Sequence, residues 1–171
     1  MKPKRTVKIL VTITGIALLA ACSNRSEYAY NETAASLYYH VSKDFEYYYT
    51  QFQQGEIKTK HERGEKEFDF GSGKAEQLKN VVAGSQQTLA LLKPSKKAEA
   101  FHQKLNDYFQ LVGNDFVNLL QTYLDLNCDC PEQKDSLNQE IHNLYKRISL
   151  LEDQCLEEQK KYIESVGGQP K

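Results

Sequence analysis

An all-α chain, built as an antiparallel four-helix bundle with a long loop after its first helix, is predicted by three observations. Apolar residues recur every three or four positions along four segments, the spacing of one helix face. The four prolines, at positions 3, 94, 131 and 170, interrupt none of those segments, so none removes a backbone donor from a helix interior. Only residues 55–73 lose the period, and Gly55, Gly64, Gly71 and Gly73 punctuate them. Helices apolar on one side must bury their stripes against each other, and a bundle does so.

The first helix opens at Tyr30 and carries its stripe on Ala34, Leu37, Val41, Phe45, Tyr48 and Phe52. Residues 55–73 follow as a mobile loop or small hairpin, charge-dense over 58–67, with Phe68 and Phe70 alternating with acidic neighbours. The second helix repeats Ala75, Leu78, Val82, Ser85, Leu89 and Leu92. After Lys93-Pro94-Ser95, with Ser95 as N-cap, the third runs from Phe101 through Leu105, Tyr108, Val112, Phe116 and Leu119 to Tyr123 and Leu126. At 1.5 Å per residue the second spans roughly 28 Å and the third nearly 48 Å, so Gly113-Asn114-Asp115 is expected to bend or break the third, or else the second starts earlier. The fourth helix begins at Pro131, a residue suited to a first turn, and carries Leu137, Ile141, Leu144, Ile148, Leu151 and Cys155. Residues 30–166 form the bundle domain, with a short disordered tether at 22–29 and a disordered tail at 167–171.

Ahead of this domain stands a leader. Lys2, Lys4, Arg5 and Lys8 form a basic start, residues 9–19 are apolar apart from Thr12, Thr14 and Gly15, and Leu19-Ala20-Ala21-Cys22 closes the run. An uncleaved spanning helix needs ~20 apolar residues, and this run has about eleven. Leu19-Ala20-Ala21-Cys22 resembles the lipobox of bacterial lipoproteins. The resemblance covers the first 22 residues and implies that 1–21 is a signal peptide, cut where Ala20 and Ala21 fit the peptidase, and that Cys22 carries a diacylglyceryl group. Two or more acyl chains, at about 0.8 kcal/mol per buried CH₂, hold a protein durably on a membrane. The implied location is the cell envelope, lipid-anchored; Ser23 rather than Asp after the acylated Cys implies an outer membrane where the cell has one.

Charge narrows the partners. The chain has 22 basic and 23 acidic residues; removing the leader's four basic residues leaves 18 against 23, a net charge of −5. A mildly acidic domain without a basic cluster lacks the footprint of nucleic-acid binding, and no nucleic-acid partner is expected.

Candidate chemistry starts with cysteine. Apart from Cys22 there are three, an odd number in a compartment that permits disulfides. Cys155 falls on the fourth stripe and reads as a buried thiol. Twenty-five helical residues, about 37 Å, separate it from Cys130, far beyond the ~4.4–6.8 Å between bridged Cα atoms, so it could meet Cys128 or Cys130 only across an antiparallel dimer. Cys128-Asp129-Cys130 can chelate a soft metal, close a reducible disulfide, or serve as an inter-helix turn in which Cys130 caps the helix starting at Pro131. No nearby His completes a zinc set. A di-iron bundle site needs two Glu-x-x-His motifs; Glu99-Ala100-Phe101-His102 supplies one, but Gln139 precedes His142 where Glu is required. His40, His61, His102 and His142 therefore read as solvated or locally bonded. A Gly-x-Ser-x-Gly elbow and a Cys-x-x-Cys-His haem motif are absent, and Gly71-Ser72-Gly73 is too short for a phosphate loop.

Tyrosine density marks the first helix, at positions 28, 30, 38, 39, 47, 48 and 49. Tyr30 and Tyr48 lie on the stripe; Tyr39 and Tyr47 fall off it and are the candidate binding residues, because exposed tyrosines enrich interfaces. The alternative is a wide buried face contacting two neighbouring helices. The mature chain also resembles uncharacterised helical surface lipoproteins of bacteria, on the layout of Tyr30-Asn31 opening a long helix after the Cys, Pro94-Ser95 and Phe101-His102. That resemblance implies no catalytic residues. The expected function is a membrane-anchored, non-catalytic binding or scaffold module of the envelope, with no cofactor beyond the lipid on Cys22 and an envelope protein or small ligand as partner. The alternative is a metal or redox protein using Cys128 and Cys130.

Overall fold

The computed structural model describes the backbone of residues 5–64 and 70–168 and the side chains of residues 26–64 and 73–168. Within them the protein is all-helical: α1 (Arg5–Gln53), α2 (Lys60–Arg63), α3 (Phe70–Leu91), α4 (Glu99–Gln110), a π-helical turn (Leu111–Phe116), α5 (Val117–Leu124) and α6 (Pro131–Ser165). No described helix is long and apolar enough to cross a membrane. The side chain of Cys22, residues 65–69 with Phe68, and residues 169–171 of the expected tail lie outside the described residues.

α1 buries the stripe its sequence predicts, at Tyr30, Ala34, Val41, Phe45, Tyr48 and Phe52. The expected tether at 22–29 is helical instead. Its order comes from distant residues: Tyr162 donates to the Glu27 carboxylate at 2.7 Å and to the Glu27 carbonyl at 2.8 Å, and Ser95 donates to the same carboxylate at 3.1 Å. α1 stops where Gly55 turns to φ +70°, a conformation glycine reaches without a Cβ clash.

The loop at 55–73 also departs from expectation. Thr59 and Glu62 form a capping box: Glu62 N–H donates to Thr59 Oγ1 at 3.2 Å while Thr59 N–H donates to the Glu62 carboxylate at 2.9 Å, nucleating α2. α2 docks on the α5–α6 connection through His61 N–H to the Leu126 carbonyl, Arg63 to the Leu124 carbonyl, both 2.9 Å, and an ion pair between Lys134 and Glu62. Phe70, expected in a hairpin, begins α3, and no strand occurs among the described residues.

α3 buries Ala75, Leu78, Val82, Ser85 and Leu89 as its spacing predicts. The third predicted helix neither breaks nor caps at Gly113-Asn114-Asp115. It widens into the π turn, and α4, the turn and α5 continue one another without leaving helical backbone angles. Gly113 is used for space rather than for a cap: a Cβ there would lie 2.7 Å from Val82 Cγ1. A π turn spends one extra residue, and beyond it the buried face widens: Tyr123 and Leu126 are buried as expected, and Leu124 joins them. Leu120, not the expected Leu119, is fully buried.

α6 starts with Cys130 at the N-cap and Pro131 in the first turn, as expected, and its 35 residues extend about 52 Å. Leu137, Ile141, Leu144, Ile148 and Cys155 are buried, and Tyr162 prolongs the stripe. Gly167 and Gly168, assigned from sequence to a disordered tail, close α6 in a Schellman motif: Gly167 takes φ +80°, its N–H donates to the Glu164 carbonyl at 3.1 Å, and Gly168 N–H reaches the Ile163 carbonyl at 2.9 Å.

Aromatic rings join the elements into one core. Phe45 meets Phe116 edge-on at 4.8 Å, Tyr49 stacks on Tyr145 at 3.7 Å, and Phe52 meets Tyr123 at 5.1 Å. At the other end of α1, Tyr30 packs edge-on against Tyr162 at 5.8 Å.

Candidate functional site

The seven tyrosines of α1 divide by helix geometry into two sets. Four are drawn into the core or its margin, and two of them spend their hydroxyls on histidines there. Tyr30 pairs with His102 Nδ1 at 2.9 Å and Tyr49 with His142 Nδ1 at 2.7 Å; Tyr38 lies against Tyr108 at 5.4 Å between ring centres, and Tyr48 is buried. Burial, with the Glu27 charge second, pushes Tyr30 up to about 12, and burial with Glu152 second does the same to Tyr38, so both remain neutral phenols at physiological pH. Three stay outside: Tyr28, Tyr39 and Tyr47 are 64%, 61% and 52% exposed. Tyr39 and Tyr47 are thus surface residues, as their positions off the stripe predict. Tyr28 obeys the same rule and was missed as a candidate, although its place two residues before Tyr30 marks it.

These tyrosines share α1 but do not form one compact patch. Eight residues separate Tyr39 from Tyr47, about 12 Å along the axis and about 80° around it. Tyr39 leans edge-on against His40, which is held by the Ser36 carbonyl at 2.7 Å. Tyr47 leans on Tyr48 at 5.3 Å and carries the Lys74 ammonium 5.8 Å above its ring, a cation–π contact that fixes α3 beside it. The arrangement offers flat apolar rings with wet hydroxyl edges along one helix, suited to an extended partner surface and without a nucleophile–base pair at either ring.

The histidines are bonded across helices rather than locally in two of four cases. His102 faces Tyr30 from α4, and His142 faces Tyr49 from α6. Among the described residues no group of three or more His, Cys, Asp and Glu is placed to share a metal ion. Burial holds the His102 pKa below its ordinary value. The unfolded chain therefore takes up a proton first as pH falls through about 6.5, and the neutral-His102 contribution to stability, complete above that pH, is lost as pH drops toward the lower folded value. The melting temperature should fall between pH 7.5 and 5.5, and His102→Gln should flatten part of that slope; an unchanged slope in the variant, read by circular dichroism, would assign the pH response elsewhere.

Cys128 and Cys130 form a disulfide, with Cα atoms 5.3 Å apart. Of the three sequence readings for this pair it is the disulfide that the fold adopts, with Cys130 at the N-cap position of α6 but making no side-chain capping bond. In this form the pair presents a metal with no thiolate. Cys155 is a free thiol, 1% exposed, and burial, then Glu152, pushes it up to about 12. Its burial also removes it from any bridge across a dimer.

A shallow groove lies where the π turn faces α6, lined by Asp115, Leu119, Glu140, Asn143, Leu144 and Arg147. Arg147 and Asp115 approach to 3.9 Å across it, both half exposed or more. The tripeptide Gly113-Asn114-Asp115 was the sequence signal for this region, read there as a break. No family model, curated protein or solved structure matches the chain.

Proposed function

We propose that the protein is an exported lipoprotein, anchored through acylated Cys22, whose antiparallel four-helix bundle serves as a non-catalytic binding or scaffold module of the cell envelope. The anchor reading rests on Leu19-Ala20-Ala21-Cys22 and the basic, then apolar, leader before it. The bundle reading is supported by pairings of opposite ends. Tyr30 near the start of the packed part of α1 meets Tyr162 near the end of α6, whereas Tyr49 near the end of α1 meets Tyr145 in the first half of α6. Likewise Lys74 near the start of α3 reaches Gln51 near the end of α1, and Ser95, beyond the end of α3, reaches Glu27.

Cys22 stands five residues before Glu27, so a lipid on it would place the Tyr30, His102 and Tyr162 end next to the membrane and the Cys128–Cys130 turn at the far end. The exposed tyrosines would then run outward along α1. The observation that carries the binding reading is the exposure of Tyr39 and Tyr47 in a helix whose stripe tyrosines, Tyr30 and Tyr48, are buried. Replacing both with Ala should reduce envelope partners captured by crosslinking at least about tenfold, the cost of ~1.4 kcal/mol at an aromatic contact. Helix content should stay nearly constant and the melting temperature should fall only slightly, since both rings are more than half exposed and Tyr47 gives up one surface cation–π contact with Lys74. Capture at the unmodified level would remove this face from the site.

A further inference from the structure

We propose that the Cys128–Cys130 disulfide is an exchange site for an external thiol, which attacks Sγ of Cys128 and leaves Cys130 as a thiolate at the N-terminus of α6. Three features of the turn support it. The bridge closes a loop of three residues within one connection and ties no two helices together, so it removes little chain entropy and has only a minor structural role. Both cysteines are partly exposed, in contrast to Cys155. Cys130 occupies the N-cap of a 35-residue helix, yet its sulfur makes no capping bond while it is tied to Cys128.

The first helical bond of α6 runs from Lys134 N–H to the Cys130 carbonyl at 3.0 Å. Pro131 has no N–H to offer, and the amides of Glu132 and Gln133 precede that bond; they point where an N-cap side chain accepts. A Cys130 thiolate released from the bridge can accept from them and lies at the positive end of the helix dipole. Asp129 and Glu132, its neighbours in sequence, oppose that charge, and the Lys134 ammonium is paired with Glu62. Cys128 lies in the connection between α5 and α6 and stands at no helix N-terminus, so Cys130 is the better leaving group and Cys128 the sulfur attacked.

The step balances as an exchange. An incoming thiolate R–S⁻ donates its electron pair to Cys128 Sγ, the Cys128–Cys130 bond breaks with both electrons on Cys130, and the products are R–S–S–Cys128 and the Cys130 thiolate. Attack by Cys130 on Cys128 reverses it and expels R–S⁻. A second thiolate attacking the R sulfur instead releases R–S–S–R′ and leaves the dithiol, so two external thiols are oxidised and the bridge is reduced. A small thiol and a protein cysteine share this chemistry.

The test uses the full chain with glutathione as probe, over a series of reduced-to-oxidised ratios, quenched by alkylation and read peptide by peptide in a mass spectrometer. Glutathione is expected on Cys128 with alkyl on Cys130, while Cys155 stays unlabelled because the chain remains folded. In single variants at pH 7, the Cys130 thiol of Cys128→Ser should alkylate about tenfold faster than the Cys128 thiol of Cys130→Ser. Equal rates, a bridge that stays closed across the whole series, or simultaneous labelling of Cys128, Cys130 and Cys155 would overturn the proposal. The same digest from intact envelopes separates the sources: a small-thiol adduct or a partner cysteine peptide on Cys128 each supports exchange, and finding neither contradicts it.

Discussion

Cys22→Ser is expected to abolish fatty-acyl labelling of the chain and to leave it at precursor mass, with residues 1–21 still attached. On the lipoprotein reading proposed above, acylation requires the Cys22 sulfur and cleavage follows it, so one atom controls both outcomes. One acyl chain gives only marginal membrane binding, about 10⁴ M⁻¹, and a second makes it durable; losing all of them should lower membrane partitioning by several orders of magnitude. The uncleaved apolar run, about eleven residues, is too short to replace the anchor by spanning, since that needs ~20. The fold should be indifferent to the change, because Glu27, one and a half turns further along α1, holds this end of the helix to Tyr162 and Ser95. Metabolic labelling with a tagged fatty acid, intact mass and membrane fractionation give three independent readouts. A Cys22→Ser chain that keeps the label, or that fractionates with the membrane at mature mass, would dismiss the lipoprotein reading.

What the sequence made legible was periodicity. Val41, Phe45, Leu78, Val82, Ile141 and Ile148 are buried where steps of three and four put them, because a repeated apolar face can be read without knowing its neighbour. What it concealed was long-range. Residues 22–29 look like a polar tether until Glu27 is seen to hold Tyr162, 135 positions away, together with Ser95. The α2 turn owes its place to the carbonyls of Leu124 and Leu126 as much as to its own capping box. Gly167 and Gly168 read as tail because a Schellman closure and a disordered end use the same residues.

The candidate site was legible to the same degree. Off-stripe spacing identified Tyr39 and Tyr47 as exposed, and on-stripe spacing identified Cys155 as buried. The partners of His102 and His142 were not readable, since Tyr30 and Tyr49 lie 72 and 93 positions away. For Cys128-Asp129-Cys130 the spacing is compatible with bridge, chelate or plain turn, and only the bond between the two sulfurs decides among them.

The π turn leads to the second large effect: Gly113→Val should destabilise the fold by about 2–3 kcal/mol and lower the melting temperature by roughly 5–10 °C. Gly113 does not use a left-handed backbone angle, so the cost is not conformational. It is steric, because a Cβ at 113 would sit 2.7 Å from Val82 Cγ1 and 3.3 Å from Val82 Cβ. Val82 is fully buried and β-branched, with a stiff χ1, and cannot swing aside as a flexible side chain would. Relief requires α3 and the turn to separate, which would loosen the contacts of Val112 and Phe116 in the core. Gly113→Ala should show a smaller loss, because the helix preference of Ala over Gly, ~1 kcal/mol, offsets part of the clash. If close packing is the reason for glycine here, shortening the opposing residue must help: Val82→Ala should cost stability alone, yet Gly113→Ala combined with Val82→Ala should be more stable than the two separate losses predict. Strict additivity in that double-mutant cycle, measured by denaturant unfolding, would show that the glycine serves the widened turn itself and not the approach of α3.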